Sequence, residues 1–372
     1  MRLDELNIRK AYLDEDRDIR WEVNVIPPDS NNFIFGAFSE IYGKEVGIGH
    51  AEMAGKPITK ALSSKTAELV QSKYSLCVNF RRQITYSEYL DVGDQGWRHW
   101  RTTMKPRFDD QGRIYRLLGT AVEIVGVESD LRNAINDQGL AVHYQPIFDV
   151  SGAQPALEGY EALIRWPGSG YGPGDFLPVA KASGLMPNIT KIVLEDVAHH
   201  LQQTQGQPWI AINISDCLTA HDLGNAIKKF GLGSDWLRLE ITEDTEITKK
   251  LIAEYQKIIS LGAIFELDDY GTERSNPVWL RHIPIQTLKL EAQFVTNAYQ
   301  YPNKAAICRS AVTLAQAYDP PLNIIAEGVE TDEDLEFVKC VLGIRTVQGY
   351  LLGAPSPWEK KSYATISETA GC

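Results

Sequence analysis

From residue 140 onward the chain repeats one rhythm, a short apolar strand followed by an amphipathic helix, and this repetition constrains the fold more than any other feature. Apolar strands are expected at 142–149, 157–166, 208–214, 236–242, 262–268, 285–291, 322–328 and 345–351. Between them, Ile192-Val193-Leu194-Val197-Leu201, Leu251-Ile252-Tyr255-Ile258-Ile259 and Ala305-Ile307-Ala311-Leu314-Ala315 keep the helical period. Eight strands with intervening helices over roughly 230 residues match an α/β fold, a TIM-like (β/α)8 barrel. The first two strands are joined only by Asp149-Val150-Ser151-Gly152-Ala153-Gln154-Pro155. A link of hairpin length cannot make the crossover that a parallel pair requires, so the first strand is expected to run antiparallel to the second.

Within that rhythm, Ala263-Ile264-Phe265-Glu266-Leu267-Asp268-Asp269-Tyr270-Gly271 begins as a strand and ends in two adjacent carboxylates. Neighbours in a strand point to opposite faces, so Asp268 and Asp269 can share a ligand only where the strand ends. Gly271 allows the turn there, and two carboxylates held together are tolerated mainly beside a cation.

Polar groups fall at the ends of the other strands as well: Glu161 with Arg165 four residues later, then Asn213, Glu240, Lys289, Glu327 and Gln348. Successive spacings from Glu161 to Gln348, counted through Asp268, are 52, 27, 28, 21, 38 and 21 residues, about one strand–helix unit each. In a barrel of this type those ends lie together on the catalytic face. Oxygen donors from Asn, Asp and Glu, without His or Cys, suit hard cations such as Mg²⁺ or Mn²⁺.

At 372 residues the chain is expected to hold two domains. Its net charge of −12 opposes sequence-independent attraction to a nucleic-acid backbone, so a DNA or RNA polymer is not an expected partner. No apolar run approaches the ~18–20 residues of a membrane span, and the N-terminus has no apolar signal core, so no membrane association is expected. Five cysteines without metal-type spacing fit a cytoplasmic location.

Residues 1–127 read as a small α+β sensor-like domain. A strand is expected at Arg20-Trp21-Glu22-Val23-Asn24-Val25-Ile26, helical pieces over 36–75, and strands near 84–91, 97–107 and 113–125. The last three are joined by hairpin turns at Gly93-Asp94-Gln95-Gly96 and Asp109-Asp110-Gln111-Gly112. Alternation places Trp100, Thr102 and Met104 on one face. This layout, with Trp97-Arg98-His99-Trp100-Arg101-Thr102-Thr103 before one hairpin and Leu117-Leu118-Gly119-Thr120-Ala121-Val122-Glu123-Ile124 after it, resembles a PAS domain. The ligand of such a domain is unknown from sequence: Cys77 does not sit in a flavin-type setting, and His50 and His99 are the region's candidates for haem ligation. Residues 128–139 form a linker helix with Leu131, Ala134 and Ile135 on one stripe, and the barrel occupies 140–372.

From about residue 130 the resemblance becomes specific. Glu161-Ala162-Leu163-Ile164-Arg165-Trp166 resembles the signature of EAL-domain cyclic di-GMP phosphodiesterases. Similar motifs follow in family order: Asn213-Ile214-Ser215, Glu240-Ile241-Thr242-Glu243, Asp268-Asp269-Tyr270-Gly271-Thr272, Leu288-Lys289-Leu290, Glu327-Gly328-Val329-Glu330-Thr331 and Gln348-Gly349-Tyr350. Tyr144-Gln145-Pro146-Ile147 matches on the first strand.

The resemblance implies a barrel with an antiparallel first strand that hydrolyses cyclic di-GMP to linear pGpG with two Mg²⁺ or Mn²⁺ ions. It implies that Glu161, Asn213, Glu240 and Asp268 bind one ion, and that Asp268 bridges to a second held with Asp269 and, directly or through water, Glu327. The same resemblance implies that Lys289 stands beside the attacking water, that Glu243 pins the loop after the Asp pair, and that Glu330 and Glu291 stand behind the ligands. It further implies that Gln145, Arg165 and Gln348 address substrate and that the assembly is a homodimer.

Two departures from the family pattern stand out. Thr272 is followed by Glu273-Arg274-Ser275 where the family has a glycine, and Glu291 stands where Asp is common. The other readings are a non-hydrolysing cyclic di-GMP receptor, which would lack part of the acidic set, and a protein-interaction scaffold, against which Arg165 and Gln348 argue.

Overall fold

The computed structural model describes residues 19–40, 53–62, 64–91, 97–123, 125–204, 206, 208–214, 218–232, 236–241, 245, 247–271 and 279–358. The chain divides into two compact units, Met1–Arg132 with Tyr171–Ser183, and Asn133–Gly170 with Gly184–Cys372.

The first unit is an antiparallel sheet of β1 (Ile19–Val25), β2 (Phe33–Phe38), β3 (Ile84–Asp91), β4 (Trp97–Phe108) and β5 (Ile114–Glu123), in the order β2-β1-β5-β4-β3. Helices Ile58–Ala61 and Ser64–Phe80 accompany it. The expected alternation holds, because Trp100, Thr102 and Met104 are all buried. Trp100 and Met104 join Trp21, Phe35 and Tyr74 in one core, where Trp21 Nε1 donates to Tyr74 Oη at 2.8 Å. Between β4 and β5 the Asp109 carboxylate accepts from the N–H groups of Gln111 and Arg113 at 3.0 and 2.8 Å, which closes the turn. Gly112 takes the left-handed φ of 74° that this turn needs.

The expectation of helical pieces over 36–75 holds at Ile58–Ala61 and from Ser64 onward but requires correction at its start: Phe33-Ile34-Phe35-Gly36-Ala37-Phe38 is a strand paired with β1. Its apolar run is short and continuous, a pattern in which strand and helix periods cannot be separated. The turn at 93–96 and His50 lie outside the described residues. Burial pushes the Cys77 thiol up to about 12, so it remains a packed, unreactive side chain. His99 is buried in β4 and is held below its ordinary value chiefly by that burial.

On helix Pro173–Ala182, which belongs to this same unit, Asp175 accepts from Arg101 Nη2 at 2.8 Å and Nε at 3.1 Å, and from the Ser87 hydroxyl. A helix spans Val127–Asn136, over most of the 128–139 stretch expected to be helical, with Leu131 buried.

The second unit is built from β6 (Ala141–Asp149), β7 (Ala156–Arg165), β8 (Trp209–Ile214), β9 (Leu237–Ile241), β10 (Ile264–Tyr270), β11 (Ile285–Leu290), β12 (Asn323–Ala326) and β13 (Thr346–Gln348). β6 and β7 are antiparallel, as the short link requires. From β7 to β13 each neighbouring pair is parallel. β13 pairs antiparallel with β6, which closes an eight-stranded barrel. A short strand β14 (Ser356–Pro357) also pairs with β6.

Outward-facing residues of the strands are sealed by the surrounding helices. Phe265 of β10 lies 5.1 Å, centroid to centroid, from Tyr255 on helix Lys249–Ser260, and both rings are fully buried. Each such buried side chain contributes roughly 1.5–3 kcal/mol. Among the described residues no helix is long and apolar enough to cross a membrane.

Candidate active site

Strand register brings the polar residues together. Glu161 on β7 stands opposite Gln145 on β6, and Asn213 on β8 stands opposite Glu240 on β9. Side chains two residues apart share a face, so Glu266 and Asp268 on β10 both follow the interior face set by Glu240. Lys289 enters from β11, and Glu327 sits just past β12, where its N–H is held by the Leu290 carbonyl at 3.0 Å.

Asp269 departs from simple alternation. From Leu267 to Tyr270 three steps on β10 oppose two on β11, from Leu288 to Leu290, which is a one-residue bulge. Asp269 takes a left-handed φ of 52° there, a conformation Asp tolerates better than most residues. The strand therefore does not end at Asp268 as expected. It bulges, and the bulge turns the second carboxylate to the side of the first. Oxygen atoms of Asp268, Asp269 and Glu327 consequently lie within 4.8 Å of one another. Gly271 follows with φ 108°.

At the centre is Lys289, fully buried, with Nζ 2.7 Å from Glu327, 2.8 Å from Glu240, 3.0 Å from Asp268 and 3.6 Å from Glu161. Burial alone would pull its pKa down, but the four carboxylates hold it well above the usual lysine range. Burial likewise pushes up Glu240, well above its ordinary value and with further help from the Glu161 charge, and takes Glu327 to about 8. Glu161 goes the other way. Burial opposes its ionisation, but Lys289 and donors on Gln348 and Asn213 outweigh it and hold the pKa low.

Those donors are specific. Gln348 Nε2 donates to Glu161 Oε2 at 2.6 Å and to Gln145 Oε1 at 3.1 Å, and Asn213 Nδ2 donates to Glu161 Oε1 at 2.8 Å. Gln145 Nε2 in turn donates to the Gly353 carbonyl at 3.2 Å. Arg165, half-buried at the end of β7, donates Nη1 to the Ile164 carbonyl at 2.9 Å and has no carboxylate partner among the described residues.

Glu243 lies outside the described residues. Glu291 and Glu330 are on the segments after β11 and β12 and are not among the four carboxylates around Lys289. Three contributors were not anticipated. Asp334, fully buried, accepts from the N–H groups of Asn297 at 2.7 Å and Glu330 at 3.4 Å, so it ties the segment after β11 to the one that carries Glu327. Arg238 and Glu266 form an ion pair inside the barrel. A period-2 reading back from Glu240 and Asp268 would have placed these two residues on the interior face.

Comparison with known proteins agrees with this geometry. Residues 128–355 match the EAL domain family. The bifunctional diguanylate cyclase/cyclic di-GMP phosphodiesterase MucR of Pseudomonas aeruginosa is 29% identical over 304 residues, which is 78% of this chain and 42% of that protein. The cyclic di-GMP phosphodiesterase PdeR of Escherichia coli K12 is 31% identical over 248 residues, 63% of this chain and 37% of that protein. The chain thus spans less than half the length of these curated relatives. The structure described as "PaMucR Phosphodiesterase, c-di-GMP complex" superposes with a TM-score of 0.56 at 32% identity, covering 63% of this chain and 98% of that one. With the motifs, the closed barrel and this match in accord, the chain belongs to the EAL-domain family, whose relatives MucR and PdeR are named as cyclic di-GMP phosphodiesterases.

Proposed function

We propose that the barrel hydrolyses cyclic di-GMP to linear pGpG with the help of two divalent ions, Mg²⁺ or Mn²⁺. The observation that carries this reading is the convergence of Glu161, Glu240, Asp268 and Glu327 on one point, with Asp269 turned in beside them. The donor set fits hard cations. Glu161 and Glu240 both stand within 3.6 Å of the Lys289 ammonium, a crowding of carboxylates that bound cations relieve. Glu240 Oε2 is buried without a hydrogen-bond partner. Among the described residues, the carboxylates of Glu161, Glu240, Asp268 and Glu327 crowd around the single ammonium of Lys289, a site that takes up further positive charge.

Glu161, Asn213, Glu240 and Asp268 would hold one ion, and Asp268, Asp269 and Glu327 the second. When bound, the ions supply Lewis-acid polarisation of the phosphodiester and an acidified water for in-line attack. Lys289 places a fixed positive charge where the phosphoryl oxygens become more negative, in a site where burial strengthens that interaction. The Arg165 guanidinium would bind a phosphate oxygen pair, and the amides of Gln145 and Gln348 would orient the nucleotide. Glu243 would hold the loop beyond the Asp pair, with Glu330 and Glu291 behind the ligands. The first unit serves as a PAS-like sensor domain, a reading supported by its sheet order β2-β1-β5-β4-β3 and its helices. The working form is a cytoplasmic homodimer.

The test is turnover of cyclic di-GMP by purified protein in Mg²⁺ or Mn²⁺. Activity should stop with excess chelator and return with metal, and Ca²⁺ should inhibit through its longer, looser coordination. Turnover that persists in metal-free buffer would overturn the mechanism. Tight binding without turnover in saturating Mn²⁺ would make the barrel a receptor.

A further inference from the structure

Beneath the acidic ring lies a second polar layer. Arg238 precedes Glu240 by two residues on β9, and Glu266 precedes Asp268 by two on β10, so both project into the barrel interior. Arg238 Nη1 donates to Glu266 Oε1 at 2.8 Å. The guanidinium carbon stands 3.6 Å from the centroid of Trp209, a cation–π contact that fixes the plane of the arginine fork. Trp209 has its place because the residue opposite it on β7 is Gly159, where a Cβ would lie 2.4 Å from the indole. Glu266 is fully buried, Arg238 is its one ion-pair partner among the described residues, and its Oε2 has no hydrogen-bond partner.

Glu266 also stands directly opposite Glu240 in the β9–β10 register. In-register neighbours on adjacent strands are about 4.8 Å apart, so two glutamates there can reach the same ion. An untethered Glu266 is therefore a competing ligand immediately below the intended one.

We propose that Arg238 and Glu266 form a positioning pair for the ion assigned to Glu161, Asn213, Glu240 and Asp268. Arg238, clamped on Trp209, holds the Glu266 carboxylate in the lower layer, so that Glu240 takes the ion. Glu266 in turn cancels the arginine charge, which would otherwise repel that ion. The inference rests on the two-ion reading above. It gives the two partners opposite effects. Loss of the arginine frees a carboxylate toward the ion, whereas loss of the glutamate charge leaves a bare cation beneath it.

The experiment is calorimetric titration of the metal-free full chain with Mn²⁺, together with kcat and KM for cyclic di-GMP, in wild type, Arg238→Met, Glu266→Gln and the double variant Arg238→Met/Glu266→Met. Arg238→Met should bind Mn²⁺ at least as tightly as wild type, with kcat lowered about tenfold because the ion is drawn off position. Glu266→Gln should weaken Mn²⁺ about tenfold through uncompensated charge, with KM changed less than about threefold. The apolar double variant should return both quantities to within about threefold of wild type, as replacement of a whole buried ion pair commonly does.

Arg238→Lys keeps the charge without the fork. It should retain Mn²⁺ affinity and lose part of the rate, a readout that remains if Arg238→Met fails to fold. Single variants that shift only the melting temperature, or that both move Mn²⁺ affinity in the same direction, overturn the pair's role. Wild type that binds no Mn²⁺ overturns the two-ion reading instead.

Discussion

Lys289 Nζ lies 2.7 Å from Glu327 Oε1, and the same ammonium lies within 3.6 Å of Glu161, Glu240 and Asp268. An ammonium has three protons, so one lysine cannot hydrogen-bond four carboxylates at once. The site is short of positive charge.

Lys289→Met should lower kcat by about a hundredfold or more while KM moves less than about threefold, as expected for a charge that matters mainly in the transition state. The metal-free variant should also be less stable by about 3–5 kcal/mol, because buried carboxylates lose their shared partner. Saturating Mn²⁺ should recover much of that loss. Steady-state kinetics and thermal melts with and without Mn²⁺ decide the matter. A variant with kcat intact and KM raised would show instead that Lys289 only binds substrate.

Metal affinity and metal-free stability should move in opposite directions with pH. Burial raises Glu327 from 4.5 to about 8, and Glu240 is also raised. A group whose folded pKa exceeds its unfolded value contributes stability that is complete below the unfolded value and is lost as pH rises through the folded one. Metal-free wild type should therefore lose stability relative to Glu327→Gln between about pH 5 and about pH 9, while Mn²⁺, which must displace those protons, binds more tightly across the same range. A difference in melting temperature between the two proteins that is flat over this window, or proton release near zero on Mn²⁺ binding at about pH 7, would contradict the assignment.

Asp269 carries both a charge and an unusual backbone, and two substitutions separate them. Asn keeps the tolerance for the left-handed φ of 52°, so Asp269→Asn should melt close to wild type yet lose about a hundredfold in kcat, because it removes a carboxylate proposed to hold the second ion. Asp269→Val should lose activity and also about 1–3 kcal/mol of stability, since a β-branched residue is strained there. Equal melting temperatures for the two variants would mean that the bulge relaxes readily and does not hold the carboxylate in place.

Much of the barrel was legible before any coordinates. All eight strands fall within a few residues of their expected positions, except that β12 and β13 stop at Ala326 and Gln348 just as their polar ends are reached. The antiparallel β6–β7 pair followed from the length of one link. These features are local, since periodicity and reach depend only on residues near one another in the chain. The carboxylates at strand ends were legible for the same reason, each as the last polar residue of an apolar run.

Other features depended on pairings between distant segments. Phe33–Phe38 became a strand because β1 offered it a partner. Asp269 faces the site because the pairing of β10 with β11 absorbs one extra residue. Arg238 and Glu266, 28 positions apart, fall on the interior face by alternation, but only the pairing of β9 with β10 brings the partly buried guanidinium onto the buried carboxylate. Sequence alone determined which residue types arrive at the barrel mouth, because hydrophobic periodicity and chain reach are short-range properties. The tertiary structure decided which charge neutralises which, because strand register and burial are set by contacts between segments far apart in the chain.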